Sequence, residues 1–332
     1  MTIAHGGGGQ LTQELVQKMF LPAFGEAAET ATPTDAATLA VGAERIAFTT
    51  DSYVVRPLFF PGGDIGSLSI HGTINDLAMT GARPLALSTA FVLEEGLEMG
   101  VLHRIATSAG EAATAAGVGL VTGDTKVVDA GLADGMYITT AGVGVIPDGV
   151  DIRPERVAPG DVIVLSGTIG RHGTAVMSVR EGLEFGTELL SDSAPLDGLV
   201  ASMLAACPDI HLMRDLTRGG LAAALCEIAD ITSVGIRYEE SAVPVPEEVD
   251  AACGFLGLDP IHVANEGRLV AFVGPENVDN VVAAMSEHDL GRDAVIIGEA
   301  TEHNPGMVTA QTRLGTNRIV DQPLGEQLPR IC

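Results

Sequence analysis

Tryptophan is absent from the 332 residues, aromatic residues make up only 4%, and just two of the 18 basic residues are lysines, Lys18 and Lys126. A core therefore has to be built from Ala, Val, Leu and Ile. A hydrophobic share of 46% against 19% charged supplies enough of them, and wholesale disorder is not expected. There is no run of about 18 apolar residues, so no membrane span is expected. Met1-Thr2-Ile3-Ala4-His5 lacks a basic segment followed by an apolar stretch, which argues against a signal peptide. The shortage of cations leaves a net charge of -26, and nucleic acid is not an expected partner, because phosphate binding needs clustered Lys and Arg. Only four cysteines occur, Cys207, Cys226, Cys253 and Cys332, with no Cys-x-x-Cys and no His at ligand spacing. A structural zinc site or disulfide framework is therefore not expected, and a reducing cytoplasmic setting is. Neither a Walker loop nor a dinucleotide fingerprint is present.

What is present begins with position. Cys332 is the last residue, after Leu328-Pro329-Arg330-Ile331. A thiol on a mobile tail is a candidate substrate-carrying arm. Thirteen extended residues reach about 45 Å, enough to cross a domain.

Length suggests two domains. Four glycines, Gly6, Gly7, Gly8 and Gly9, open onto helical spacing at Leu11, Leu15, Val16, Met19, Phe20 and Phe24. Residues 26–43 are Ala/Thr-rich and read as loop. Strands are expected at 45–55, 84–93, 118–128 and 135–146, with helices at 64–81 and 98–116. Pro147, Gly149, Pro154, Pro159 and Gly160 then mark a boundary. Beyond it strands are expected at 161–166, 234–238, 268–273 and 292–299, and helices near 171–182, 195–206, 219–230, 246–256 and 278–288. Strands and helices mixed in both halves give an α+β expectation of mixed layers. The division expected is 1–150, 151–318 and a mobile tail 319–332.

Several segments carry chemistry. Backbone amides of the glycine run could approach an anion closely, or the run could simply be a flexible terminus. Asp51, Asp76 and Asp124 interrupt apolar runs, where a carboxylate is costly unless paired or cation-bound; oxygen ligands of this kind suit Mg²⁺, although each alone could be a turn or cap residue. Lys126, two residues after Asp124 in a valine-rich strand, could neutralise phosphate or act as a base, or could snorkel from an edge strand. Asp215 and Arg218 precede Gly219-Gly220 at a helix start, a second phosphate-side loop or an ordinary capped turn. Glu266, in Asn265-Glu266-Gly267, could be a base or a turn residue.

In this order, these segments resemble the HypE family of hydrogenase maturation proteins, within the superfamily of AIR synthetase, selenophosphate synthetase and thiamine monophosphate kinase. The resemblance is carried by Ala4-His5-Gly6-Gly7-Gly8-Gly9, Thr50-Asp51-Ser52-Tyr53-Val54, Asn75-Asp76, Val121-Thr122-Gly123-Asp124-Thr125-Lys126, Asp215-Leu216-Thr217-Arg218-Gly219-Gly220, Ala264-Asn265-Glu266-Gly267 and Pro329-Arg330-Ile331-Cys332. The last of these is the most specific, and the whole chain is covered.

The resemblance implies a homodimer formed through an ATP-binding first domain, an α/β second domain and a C-terminal arm. It further implies that a carbamoyltransferase, HypF, loads a carbamoyl group on Cys332, which ATP and Mg²⁺ convert to a thiocyanate. The cyano group would pass to a HypC–HypD complex for the Fe(CN)₂CO centre of [NiFe]-hydrogenase. Mg²⁺ would be held by Asp51, Asp76 and Asp124; Gly6–Gly9, Asn75, Thr125, Asp215 and Arg218 would also face the nucleotide. Lys126, Glu266 and His5 are the candidate bases. Two other readings stand beside it: a superfamily kinase or synthetase acting on a small diffusible substrate, and a non-catalytic assembly scaffold.

Overall fold

The structure, a computed structural model, describes residues 2, 9–28, 34–182, 189–322, 328 and 330–332. The helical spacing after Gly9 gives α1, Gln10–Leu15, then a π turn, Val16–Phe20, then α2, Leu21–Phe24. None of these residues is buried; Met19 and Phe24 stand exposed.

In the first half, β1 is Ala37–Val41, β2 Glu44–Tyr53, and β3 (Phe59–Phe60) and β4 (Gly63–Asp64) form a small hairpin. Then come α3, Ile65–Met79; β5, Arg83–Glu94; α4, Met99–Ala115; β6, Gly119–Val128; and β7, Met136–Ile146. The five long strands make one sheet, ordered β1-β2-β7-β5-β6. All neighbours are antiparallel except β5 and β6, which α4 joins as a crossover. The Ala/Thr stretch expected to be loop thus contains a strand: Ala37 to Val41 pair with Phe48 to Glu44 across a two-residue turn.

In the second half the elements are β8, Val162–Leu165; α5, Arg171–Arg180; α6, Asp197–Ala206; β9, Ile210–Asp215; α7, Gly220–Thr232; β10, Gly235–Glu239; α8, Glu247–Leu256; β11, Leu269–Val273; α9, Val278–Glu287; β12, Val295–Thr301; β13, Val308–Gln311; and β14, Asn317–Val320. Its seven strands run β14-β13-β10-β12-β8-β11-β9. The architecture is mixed helix and sheet in two halves. Residues 319 and 320 belong to β14, paired with Thr309 and Val308, so the segment expected to be tail from 319 begins beyond the sheet.

α3 is the pivot. Asp64 accepts from the backbone of Gly66 and Ser67, and Ser67 reaches back to the Asp64 amide, a reciprocal cap that fixes the start of the helix. Twelve of its fifteen residues are buried, among them Ile65, Leu68, Ile70, Ile74 and Leu77. A helix apolar all round has to be covered all round. β2 and β7 cover one side, α4 another, and α6 and β9 of the second half a third. Residues on α3 therefore face both halves at once.

Candidate active site

Asp76 on α3 points to the last residue of β9, Asp215, and to Asp35, just before β1. One carboxylate oxygen from each lies within 4.8 Å of the others. Asp215 is buried, while Asp35 and Asp76 are half-buried, so the cluster has an open side. Thr49 Oγ1 stands 2.8 Å from Asp76 Oδ2 and 2.9 Å from the Asp35 carbonyl, with one proton to give. Arg214, beside Asp215, pairs with Asp35 and, at 2.7 Å, with Glu227. That single guanidinium is divided between two acids and leaves the group short of positive charge.

The carboxyls respond by holding protons. Burial, then the neighbouring Asp35, pushes Asp215 up to about 8. Burial and then Asp215 push Asp76 well up, and burial raises Asp35 against the pull of Arg214. Asp51 on β2 adds its field to all three. Crowded oxygens that ionise only reluctantly and open to one side are the donor set a hard divalent cation takes. The residues fit Mg²⁺, with Asp35 in the set and Asp124 outside it.

Asp124 was expected as a metal ligand, but it sits on exposed β6. It accepts from Lys126 Nζ at 3.0 Å and from the Thr125 amide at 2.8 Å, and Lys126 in first place draws its carboxyl below the usual range. Lys126 is exposed and not desolvated, so as a base it lacks the burial that such a role requires in the single chain. His5, Gly6, Gly7 and Gly8 lie outside the described residues; Gly9 stands at the N-cap of α1. Arg218 lies in the turn before α7, where Gly219 and Gly220 both adopt positive φ, and it draws the Asp215 and Glu266 carboxyls down.

Glu266 is 2% exposed, and its Oε1 has no hydrogen-bond partner among the described residues. Burial, with Asp215 and Asp51 behind it, raises its carboxyl well above the ordinary range. Its backbone is fixed from both sides. The Glu266 amide donates to Asp192 Oδ1 at 3.1 Å, and its carbonyl accepts from Ala194. Gly267 is required here, since a Cβ would lie 2.0 Å from the Asp192 carbonyl oxygen. Asn75, expected to face the nucleotide, spends its amide on backbone instead: Nδ2 donates to the carbonyls of Ala194 and Glu266, and Oδ1 accepts from Leu196.

Leu328 and residues 330–332 return to the first half's sheet. Leu328 and Ile331 are buried against Tyr53, Val55, Val176 and Val263, and Cys332 packs half-buried on the same cluster. The Val54 amide donates to the Cys332 carbonyl at 3.2 Å, and Arg56 to that of Arg330 at 3.1 Å, so the segment lies against the chain just past the end of β2. Val54 lies three residues past Asp51, about 10 Å along an extended chain. Ile331 thus behaves as a core residue, and Cys332 packs beside it on the same apolar cluster.

Two family models match in series: AIR synthase related protein, N-terminal domain, over residues 33–146, and AIR synthase related protein, C-terminal domain, over residues 158–310. The carbamoyl dehydratase HypE of Rhizobium leguminosarum bv. viciae is 53% identical over 331 residues, covering 99% of this chain and 94% of the relative. The chain belongs to the HypE family of carbamoyl dehydratases. A crystal structure of a HypE–HypF complex matches with TM-score 0.87 at 45% identity, covering 93% of this chain and 99% of that one. HypE crystallised in complex with ATP matches with TM-score 0.85 at 44% identity, covering 99% of each. Among the described residues no helix is long and apolar enough to cross a membrane.

Against the HypE frame, sequence reasoning missed Asp35, Asp192 and the buried state of Glu266. Asp35 had one available signal, its place between Thr34 and an Ala-Ala-Thr-Leu-Ala-Val run able to alternate as a strand.

Proposed function

We propose that the chain dehydrates a carbamoyl group carried on the sulfur of its own Cys332, at the expense of ATP, yielding a thiocyanate. The observation that carries this reading is the seating of residues 330–332 against Val54 and Arg56, just past the end of β2, the strand that also bears Asp51 at the edge of the carboxylate cluster. The activity of the carbamoyl dehydratase relatives supports this reading, and the HypE–HypF and HypE–ATP complexes support HypF as the loading partner and ATP as the phosphoryl donor.

The reaction balances without an outside oxidant or reductant. The carbamoyl oxygen attacks the γ-phosphorus and ADP leaves. The C–O bond then breaks, the oxygen departs in phosphate, and two protons leave the nitrogen, giving S–C≡N. Asp35, Asp76 and Asp215 would hold Mg²⁺, with Asp51 beside them. When bound, the cation would offset triphosphate charge and orient it. The chain's own residues supply the rest. Glu266 sits in a water-poor site with one carboxyl oxygen that has no hydrogen-bond partner among the described residues, and in its ionised form it is a strong enough base to take a proton from the amide nitrogen. Burial of Leu328 and Ile331 keeps water from the intermediate. The cyano group would be handed on to a HypC–HypD complex for an Fe(CN)₂CO centre.

A second copy of the chain is the expected oligomeric partner. β6 is the edge strand of its sheet, and Val121 and Val127 are 69% and 67% exposed on it. Covering that edge would also desolvate Lys126.

The test is direct. The chain is incubated with HypF, carbamoyl phosphate, Mg²⁺ and ATP, and the Cys332 peptide is followed by mass spectrometry. A carbamoyl adduct that loses one water only when ATP is present is the expected result. An adduct that persists unchanged with ATP would overturn the reading.

A further inference from the structure

Apolar burial sets how deep residues 328–332 sit, but it does not set their register. A segment paired along a strand edge can slip by one residue, and such a slip turns every side chain to the opposite face. For Cys332 that would turn the thiol to the opposite face. Something has to hold the register, and the fold supplies it at Arg330.

Arg330 adopts φ 59°, a left-handed conformation that a residue with a side chain keeps only where its surroundings hold it. Its guanidinium is gripped through Nη1 by Asp134 and through Nε by the Val54 carbonyl at 3.1 Å. Its own carbonyl accepts from the Arg56 amide at 3.1 Å and from Arg180 Nη2 at 2.6 Å. Arg180 Nε also donates to the Arg56 carbonyl at 3.0 Å, and Arg56 Nη1 pairs with Asp134 at 3.0 Å. Asp134 comes from the loop before β7, Arg56 from the exit of β2, and Arg180 from the last residue of α5 in the second half. Parts of both halves therefore close on one arginine. One residue on, His172 Nε2 lies 3.0 Å from the Ile331 carbonyl; a carbonyl can only accept, so Nε2 carries the proton and Nδ1 accepts from Ser191 Oγ. A planar fork between a carboxylate and a carbonyl is a task for arginine, which a lysine cannot copy.

We infer that Asp134 and Arg180 are positioning residues: they clamp Arg330 at one register and thereby set where the thiol of Cys332 stands. The consequence for turnover rests on the carbamoyl dehydratase reading above; the clamp itself does not.

The experiment uses the whole, unmodified chain and iodoacetamide, with alkylation of each cysteine followed by peptide mass spectrometry. Cys207 and Cys253 are buried and report general loosening. In Asp134→Asn and in Arg180→Ala, alkylation at Cys332 should rise about tenfold, the cost of one lost charge-assisted hydrogen bond expressed as local opening. Asp134→Glu, which keeps the charge, should return most of the protection. An unchanged Cys332 rate in both of the first two variants overturns the clamp. So does a rise at Cys253 equal to that at Cys332, which would mean the variants loosen the core. With carbamoylated chain, the same two variants should lower kcat with the KM for ATP unchanged. If wild-type chain never forms the dehydrated adduct, the dehydratase reading fails, and the alkylation rates still decide the clamp.

Discussion

Asn75, on a helix of the first half, donates to the main-chain carbonyl of Glu266 in the second, 3.2 Å away, and accepts from the Leu196 amide at 2.7 Å. One amide thus ties the pivot helix to the turn that carries the uncommitted carboxylate. Asn75→Ala would leave the Ala194 and Glu266 carbonyls and the Leu196 amide without this partner in a region closed to water. The expected loss is about 3 kcal/mol in urea unfolding, with a fall in turnover larger than the fall in ATP affinity, because Glu266 would lose its position. A variant as stable and active as wild type would sink the claim.

Acid crowding gives stability a definite pH slope. Asp215 ionises near 8 in the folded chain against an ordinary value of 3.8. Over that window the folded chain holds more protons than the unfolded one, so this group's contribution is full at the acidic end and is lost as pH rises through about 8. Asp35, Asp76 and Glu266 are shifted the same way. Without divalent cations the Tm should therefore fall between about pH 5 and pH 8. Magnesium should raise it more at the upper end, where the carboxylates are ready to bind it. Asp215→Asn should flatten both responses. An equal magnesium shift at both pH values would contradict Asp215 as a ligand.

How much of this could be read in the chain depended on whether a residue's neighbours repeat. The helix around Ile105 and the strand around Ala47 follow their periods, the helix around Leu68 is buried nearly all round and the strand around Phe272 is apolar throughout, and the approximate positions of all four are those expected from sequence. Asp35 lay in a stretch whose Ala and Thr residues carry little contrast between faces, so β1 was invisible and its acid with it. β9, Ile210–Asp215, alternates only weakly because its residues are buried on both sides, which is why Arg214 and Asp215 looked like part of the following turn. The docking of Ile331 could not be foreseen at all: Leu324, Leu328 and Ile331, spread through a segment with Pro323, Gly325 and Pro329, set no clear period. The partners it finds, such as Val55 and Val176, lie far away along the chain.

Glu266 should separate stability from activity. An unpaired carboxylate in a buried acidic field costs the fold free energy that a neutral amide of the same shape does not. Glu266→Gln is expected to raise Tm by a few degrees at about pH 8 and to slow dehydration of the carbamoyl adduct by about a hundredfold or more, the range over which general bases act. The adduct itself should still form, since loading does not need this base. Calorimetry and the rate of water loss from the Cys332 peptide test the two halves separately. Full turnover in the Gln variant would remove Glu266 from the chemistry.

The edge of β6 leads to the last expectation. Among the described residues its backbone pairs only with β5, its residues from Gly119 to Val127 are all exposed, and Val121 stands out among them at 69%. A long apolar edge is an invitation to another strand, and covering it with a second copy satisfies the backbone while burying valines against their own kind. Each valine so covered contributes about 1.5 kcal/mol, counted once per copy. Val121→Glu would set two carboxylates against each other across such a contact and add to a surface already at net charge -26. Light scattering after size exclusion should then report a monomer where wild type gives a dimer, with the circular dichroism of the chain unaltered. The monomer should lose turnover as well, because Lys126 on the same strand would stay exposed. A variant that stays dimeric, or a wild type that is monomeric at micromolar concentration, would move the partner surface elsewhere.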